Sequence, residues 1–302
     1  MDTNRAAEET LLECPSHREK KRERSEEILE EQLLSRRMGD IRYKILVLSG
    51  KGGVGKSTVA ANMAFCLSTA GKQVGLLDAD IHGPSIPKLL NIEGSPVVAS
   101  GQGIMPIQVK PNLKVMSIGL LLDKKDEAVI WRGPMKYNAI KQFLKDVEWG
   151  ELDYLVIDSP PGTGDEPLTV AQLIGGRRSA VIVTTPQGLA LADVRKSITF
   201  CRRLALPVLG VIENMSGFVC PKCGEVSNIF MVGGGEAMAK EMGVPFLGRI
   251  PIDPKIVEAC DLGQPYVSIY AQSEASKSLS RIILPILEME KGDTVTPPLG
   301  SI

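Results

Sequence analysis

Gly50-Lys51-Gly52-Gly53-Val54-Gly55-Lys56-Ser57 decides the reading of this chain. The stretch fits G-x-x-x-x-G-K-[ST] and stands where that pattern carries meaning. An apolar run, Lys44 to Leu48, precedes it, and a helical pattern from Lys56 to Thr69 follows. Glycines at these positions let the backbone curl so that several N–H groups point at one phosphate, and the helix behind them adds the partial positive charge of its N-terminus. Residues Gly50 through Ser57, with Thr58 behind them, are therefore candidates to bind a nucleotide. Lys56 is spaced to reach the β- and γ-phosphates, and Ser57 to give its hydroxyl oxygen to Mg²⁺.

Outward from this loop, strand and helix patterns alternate. Further strands read at Gln73 to Leu77, Tyr154 to Ile157, Ala180 to Thr184, Pro207 to Ile212 and Pro245 to Gly248. Helices read over Met135 to Val147 and about residues 166–175, 189–203, 235–242, 253–261 and 275–289. Such alternation predicts an α/β fold, a doubly wound, mostly parallel sheet with helices on both faces. Residues 92–132 carry little helical period and predict short strands or a hairpin, with Val115 to Ile118 and Ala128 to Trp131 extended. Nearly half of residues 1–40 are charged, against 24% of the whole chain, so they read as a separate helix-prone arm. Its core, Arg18 to Arg37, sets Ile28, Leu29 and Leu33 at helical spacing. A solvated helix, a partner-binding helix or a gate all suit it. Residues 41–291 form the expected nucleotide-binding domain, and 292–302, with Pro297 and Pro298, a loose tail.

Composition narrows the function classes. Lys plus Arg (35) nearly equals Asp plus Glu (36), which disfavours a dedicated nucleic-acid binder. No apolar run approaches the roughly 18 residues of a membrane span, and the charged N-terminus lacks a secretory h-region. A cytoplasmic protein with reduced thiols is expected. Two histidines, His17 and His82, exclude chemistry built on several. His82 reads as a loop residue.

Two acidic motifs belong with the phosphate loop. Asp78-Ala79-Asp80 ends the second strand, where carboxylates point into the ligand crevice of a doubly wound sheet. Asp80 is the candidate to position or deprotonate an attacking water, and Asp78 to support Mg²⁺ through water. Leu155-Val156-Ile157-Asp158 is an apolar strand ending in the candidate second Mg²⁺ residue, Asp158. Its continuation, Ser159-Pro160-Pro161-Gly162-Thr163-Gly164-Asp165, is stiff and then pliant, as a γ-phosphate-sensing loop needs to be.

Cys220-Pro221-Lys222-Cys223-Gly224 is a C-x-x-C turn whose thiolates can face one metal. One pair gives two ligands, and zinc or an iron–sulfur cluster normally takes four. Two chains meeting across a two-fold axis are the simplest completion, with zinc or a cluster both open. Cys66, Cys201 and Cys260 lie on helical patterns and read as buried thiols. Cys14 reads as a spare thiol or a metal-handling one.

The second lysine of the loop, Lys51, makes the motif resemble the deviant Walker A of the MinD/ParA/nitrogenase-iron-protein class of dimeric P-loop NTPases. That resemblance implies a catalytic Lys51 reaching the partner's nucleotide. Taken together, Gly50 to Thr58, Asp78 to Ser85 (DADIHGPS), Asp158 to Asp165 (DSPPGTGD), Asn214 to Gly217 (NMSG) and Cys220 to Cys223 strongly resemble the Mrp/ApbC family of iron–sulfur cluster carriers over residues 41–290. The resemblance implies a Rossmann-like P-loop fold and a homodimer. It implies a [4Fe–4S] cluster bridged by Cys220 and Cys223 of both chains, and slow ATP hydrolysis coupled to cluster transfer. Apo iron–sulfur proteins would be acceptors and a cluster-assembly scaffold the donor, with no nucleic acid or membrane partner. Its relatives further imply that Asn214 reads the adenine and that the loop around Pro251-Ile252-Asp253 touches the nucleoside. The eukaryotic cytosolic branch carries a four-cysteine N-terminal cluster, whereas this arm holds Cys14 alone. Two rival classes remain: a MinD/ParA-like spatial organiser, raised by the amphipathic stretch Ser278 to Met289 despite Pro285, and a zinc-stapled regulatory ATPase dimer.

Overall fold

The computed structural model describes residues 15–101, 103–121, 133–220, 222–223, 225–229 and 231–289. Cys14, the extended reading of Ala128 to Trp131 and the tail 292–302 lie outside the described residues. In chain order the elements are α1 (Pro15–Gly39), β1 (Ile41–Leu48), α2 (Lys56–Thr69), β2 (Val74–Asp78), α3 (Ile86–Leu89), β3 (Ile107–Lys110) and β4 (Leu113–Ser117). A 3₁₀ turn, Ile118–Leu120, leads to α4 (Gly133–Asp146), β5 (Leu152–Asp158), α5 (Asp165–Leu173), β6 (Arg178–Thr184) and α6 (Gly188–Arg203). The remainder is β7 (Val208–Val219), β8 (Val226–Ser227), α7 (Gly234–Glu241), β9 (Phe246–Ile252), α8 (Pro254–Asp261), α9 (Tyr266–Ile269) and α10 (Glu274–Glu288).

The strands form one sheet in the order β3-β4-β2-β5-β1-β6-β7-β8, with β9 also paired to β7. Pairing is parallel except for β3 with β4 and β7 with β8, so the doubly wound expectation holds. Both faces of the central strands are buried, which is why β1 reads as a continuous apolar run rather than an alternation. Ile45 and Val47 point into a layer with Val59, Met63 and Leu67 of α2 and Leu279, Ile282 and Ile286 of α10. Leu46 and Leu48 point the other way, toward Ile140 and Phe143 of α4, Val170 of α5 and Ile198 of α6. Register brings the ends of β2 and β5 level, with Asp78 opposite Asp158.

Three expectations change. Ile28 and Leu29 of α1 are exposed, and the arm instead buries Leu34 and Met38 one helical turn apart in the α4 layer. Glu30 reinforces that seat by accepting from Lys145 and Lys141 of α4, at 2.7 and 3.0 Å. β7 does not stop at Ile212 but runs on to Val219, because β8 and the end of β9 supply partners for Phe218 and Val219. Pro251 and Ile252 lie in β9 rather than in a loop. The amphipathic face of α10 is consumed by packing on β9 and α2, which leaves it no apolar stripe for a membrane surface. Among the described residues, no helix is long and apolar enough to cross a membrane.

Candidate functional site

The loop from Gly50 to Gly55 leaves the end of β1 and enters α2 through Gly55, at φ 81°. A side chain there would be strained by that angle and would also meet Asn214 Nδ2 at 2.3 Å. Gly50 is held by proximity alone: a Cβ would lie 2.3 Å from Asp193 Cβ on α6. The loop opens on a cleft of about 520 Å³ whose walls include Lys51, Lys56, Ser57, Asp80, Pro161 and Cys260. Phosphate loop, Asp80 loop and the turn after β5 therefore share one space.

Lys56 is buried, and its ammonium lies 2.5 Å from Asp158 Oδ1. Asp158 is fully buried, and its second oxygen, Oδ2, has no hydrogen-bond partner among the described residues. Beside it, Asp78 accepts from the Ile86 N–H at 3.1 Å, the Ser117 hydroxyl at 2.9 Å and the Asp80 N–H at 3.1 Å. Burial, then the Asp158 charge, push the Asp78 carboxyl up to about 7. Burial likewise raises Asp158, against the pull of Lys56. Two desolvated carboxylates at one sheet end, one with an orphaned oxygen, suit a divalent cation whose charge relieves both. Mg²⁺ held by Ser57 and supported by these two aspartates fits that donor set.

Asp80 is organised by its own loop: Oδ1 accepts from the N–H groups of His82 and Gly83 at 3.3 and 3.2 Å. His82 lies in the loop after β2. Its Nε2 lies 3.3 Å from Glu166, which also takes Lys136 Nζ at 2.6 Å. Glu166 thus joins the Asp80 loop, the start of α5 and α4. The Lys51 side chain stands half-buried at the cleft and makes no ion pair with a described residue.

Cys220 and Cys223 occupy the turn between β7 and β8. Cys220 is half-buried, Cys223 is exposed, and neither is in a disulfide. The backbone N–H groups of Cys223 and Lys222 hold the Cys220 thiol below its ordinary value, which favours the thiolate a metal needs. Of the helix cysteines, Cys66 and Cys201 are buried as expected, and burial pushes their thiols up to about 11 and about 12. Cys260 departs from expectation. It is half-exposed, lines the cleft and sets its Sγ 4.0 Å from Thr58 Oγ1.

A family model described as NUBPL iron-transfer P-loop NTPase, of the ParA type, matches residues 40–287. The chain belongs to this family. An iron-sulfur cluster carrier protein of Methanocaldococcus jannaschii is 54% identical over 255 residues, 84% of this chain and 87% of its own length. Among solved structures, a nucleotide-binding protein of Archaeoglobus fulgidus in complex with ADP matches at TM-score 0.70 and 43% identity. The match covers 78% of this chain and 92% of that one. The cell division ATPase MinD of Pyrococcus furiosus matches at TM-score 0.60 and 26% identity, over 82% and 99%.

In this iron-transfer P-loop NTPase, two residues that the resemblance linked to the nucleoside hold other contacts. Asn214 does not end its strand. It sits within β7, is buried, and donates Nδ2 to the Val54 carbonyl of the phosphate loop at 2.9 Å. Asp253 caps α8 by accepting the Lys255 N–H at 2.9 Å and also accepts the Tyr266 hydroxyl. Neither lines the cleft described above. Glu213, beside Asn214, is a fully buried carboxylate that belongs to none of the sequence motifs above. Its signal was present as a charge inside an apolar strand, which demands several donors.

Proposed function

We propose that this chain binds and hydrolyses ATP with Mg²⁺ and, as a homodimer, carries a [4Fe–4S] cluster as cargo from a cluster-assembly scaffold to apo iron–sulfur proteins in the cytoplasm. One observation carries the reading. Cys220 and Cys223 present free thiols on a surface turn, while the described residues contain no group of three or more His, Cys, Asp or Glu able to hold a metal ion. A four-thiolate site then calls for a second copy of the turn. The working unit on this reading is residues 41–291, with residues 1–40 as a separate arm and 292–302 as a tail.

Each nucleotide-site residue has a task in that scheme. Backbone N–H groups of Gly50 to Thr58 and the α2 N-terminus hold the phosphates. Lys56, released from Asp158 by the incoming charge, compensates the β- and γ-phosphates. Ser57, with support from Asp158 and Asp78, would hold Mg²⁺, which would supply charge neutralisation to the phosphates. Asp80 orients the attacking water, and Lys51 adds positive charge at the partner's site in the closed dimer. Asn214 and Asp253 stand at the nucleoside end, Asn214 keeping its hold on the Val54 carbonyl.

Anaerobic reconstitution with iron and sulfide tests the proposal. Expected are about four irons and four sulfides per dimer, lost in Cys220→Ala and in Cys223→Ala while ATP binding persists, and retained in Cys201→Ala and Cys260→Ala. Iron retained by the Cys220→Ala/Cys223→Ala double variant places the cluster elsewhere. Zinc without sulfide favours the stapled-dimer reading, and ATP-dependent pelleting with lipid vesicles the spatial organiser.

A further inference from the structure

Glu213 and Asn214 are neighbours on β7 whose side chains leave opposite faces of the sheet. Asn214 reaches the phosphate loop through the Val54 carbonyl, 2.9 Å away, and packs against Gly55. Glu213 faces the other layer. Its carboxylate accepts the Ser216 hydroxyl at 2.5 Å, the Gly233 N–H at 3.0 Å and the Gly235 N–H at 2.5 Å, with Arg249 Nε at 3.4 Å. Ser216 lies shortly before the cysteine turn, and Gly233 and Gly235 lie beyond β8, at the start of α7. One buried carboxylate therefore ties together both ends of the segment that carries Cys220 and Cys223. Between the two halves of this arrangement, Met215 sits at φ 56°, a left-handed conformation that residues with a Cβ adopt only when their surroundings impose it. The pairing of β7 with β9 shifts register across the same residues, Asn214 to Phe218.

We infer that Glu213 and Asn214 are positioning residues that link the phosphate loop to the cysteine turn, so that nucleotide occupancy sets the conformation of residues 216–233. The inference deepens the carrier reading and rests on it for its purpose, but not for its test. Nucleotide entering the loop moves the Val54 carbonyl, Asn214 follows it, and the strained Met215 joint turns that movement into a shift of Ser216 against Glu213. The cysteine segment responds as one piece because the carboxylate holds its two ends. Coupling of this kind is reciprocal: whatever occupies the cysteine turn changes nucleotide affinity by the same factor.

Hydrogen exchange of the full-length protein, read by mass spectrometry over residues 216–233, tests this without any cluster. In the wild type a non-hydrolysable ATP analogue with Mg²⁺ should change exchange of that segment by about fivefold or more. Glu213→Gln keeps the shape but replaces one acceptor oxygen with an amide. It should quicken exchange and abolish the nucleotide-dependent difference, while analogue affinity stays within about threefold of wild type because Glu213 faces away from the cleft. Ser216→Ala, which removes a single donor, should shrink the difference and decides the matter if Glu213→Gln fails to fold. A wild-type segment that exchanges identically with and without analogue overturns the link, as does an unchanged difference in both variants. Failure of the carrier reading shows separately, as absent iron and sulfide, and leaves the exchange result standing.

Discussion

The phosphate loop and the cysteine turn lie at opposite extremes of how a fold can hold a functional group. At the phosphate loop the backbone is hemmed in by α6 at Gly50 and by Asn214 at Gly55, and behind it Lys56 and Asp158 form a buried ion pair. At the cysteine turn a two-residue strand, β8, closes the hairpin, Cys223 is exposed, and apolar Ile229 and Met231 stand in solvent. On the carrier reading proposed above, the difference follows from the tasks. Phosphate chemistry needs donors already in place when charge develops, so rigidity contributes directly to rate. A metal cargo that is accepted and released needs ligands that a second protein can approach. Tight packing there would oppose transfer.

Breaking the rigid end should have the largest effect. Lys56→Ala removes the ammonium that compensates both the phosphates and Asp158. ATP turnover should fall about 100-fold, on the order of 3 kcal/mol in the transition state. Activity within a few-fold of wild type would remove Lys56 from the mechanism.

Next comes packing. Gly50→Ala sets a methyl 2.3 Å from Asp193 Cβ and 2.6 Å from its backbone, so α6 or the loop has to move. Urea unfolding should show a loss of about 1–3 kcal/mol, the ordinary range for overpacking. At the other end, the Cys220→Ala/Cys223→Ala double variant should unfold within about 0.5 kcal/mol of wild type when metal-free, since neither side chain is in the core. A larger loss at the cysteine turn than at Gly50 would reverse the contrast.

Much of the rigid end was legible in the sequence because its signals are local. Strand, glycine run and helix adjoin one another, and the Asp78 and Asp158 motifs each end an apolar strand. What was hidden depends on partners far along the chain. Asn214 donates to a carbonyl 160 residues away, and the polar Asn214-Met215-Ser216-Gly217 run looks like a turn until β8 and β9 are seen to pair beyond it. Cys260 reads as a buried helix thiol because nothing in its own helix reveals the cleft beside it. In the arm, the helix was legible, but the face that packs was not. Ile28 and Leu29 are as apolar as Leu34 and Met38, and only the position of α4 decides which pair is covered.

A small effect is expected in that arm, which extends the contrast to a third kind of attachment, by surface charge. Glu30 accepts from Lys145 and Lys141, and those hydrogen bonds hold its carboxyl below the ordinary glutamate value. Between the lowered value and the ordinary one, the unfolded chain binds more protons at this site than the folded chain does. The contact's contribution is therefore complete above the ordinary value and is lost as pH falls through the lowered one. With Glu30 43% exposed, solvent screening limits the contribution to about 0.5–1 kcal/mol. Glu30→Gln should be less stable than wild type by that amount at neutral pH in low salt, and the gap should narrow as the pH falls below the ordinary glutamate value. Raising the salt should narrow it at neutral pH as well. A gap that persists in acid and in salt would mean that α1 is held by Leu34 and Met38 packing alone, with Glu30 acting through its shape rather than its charge.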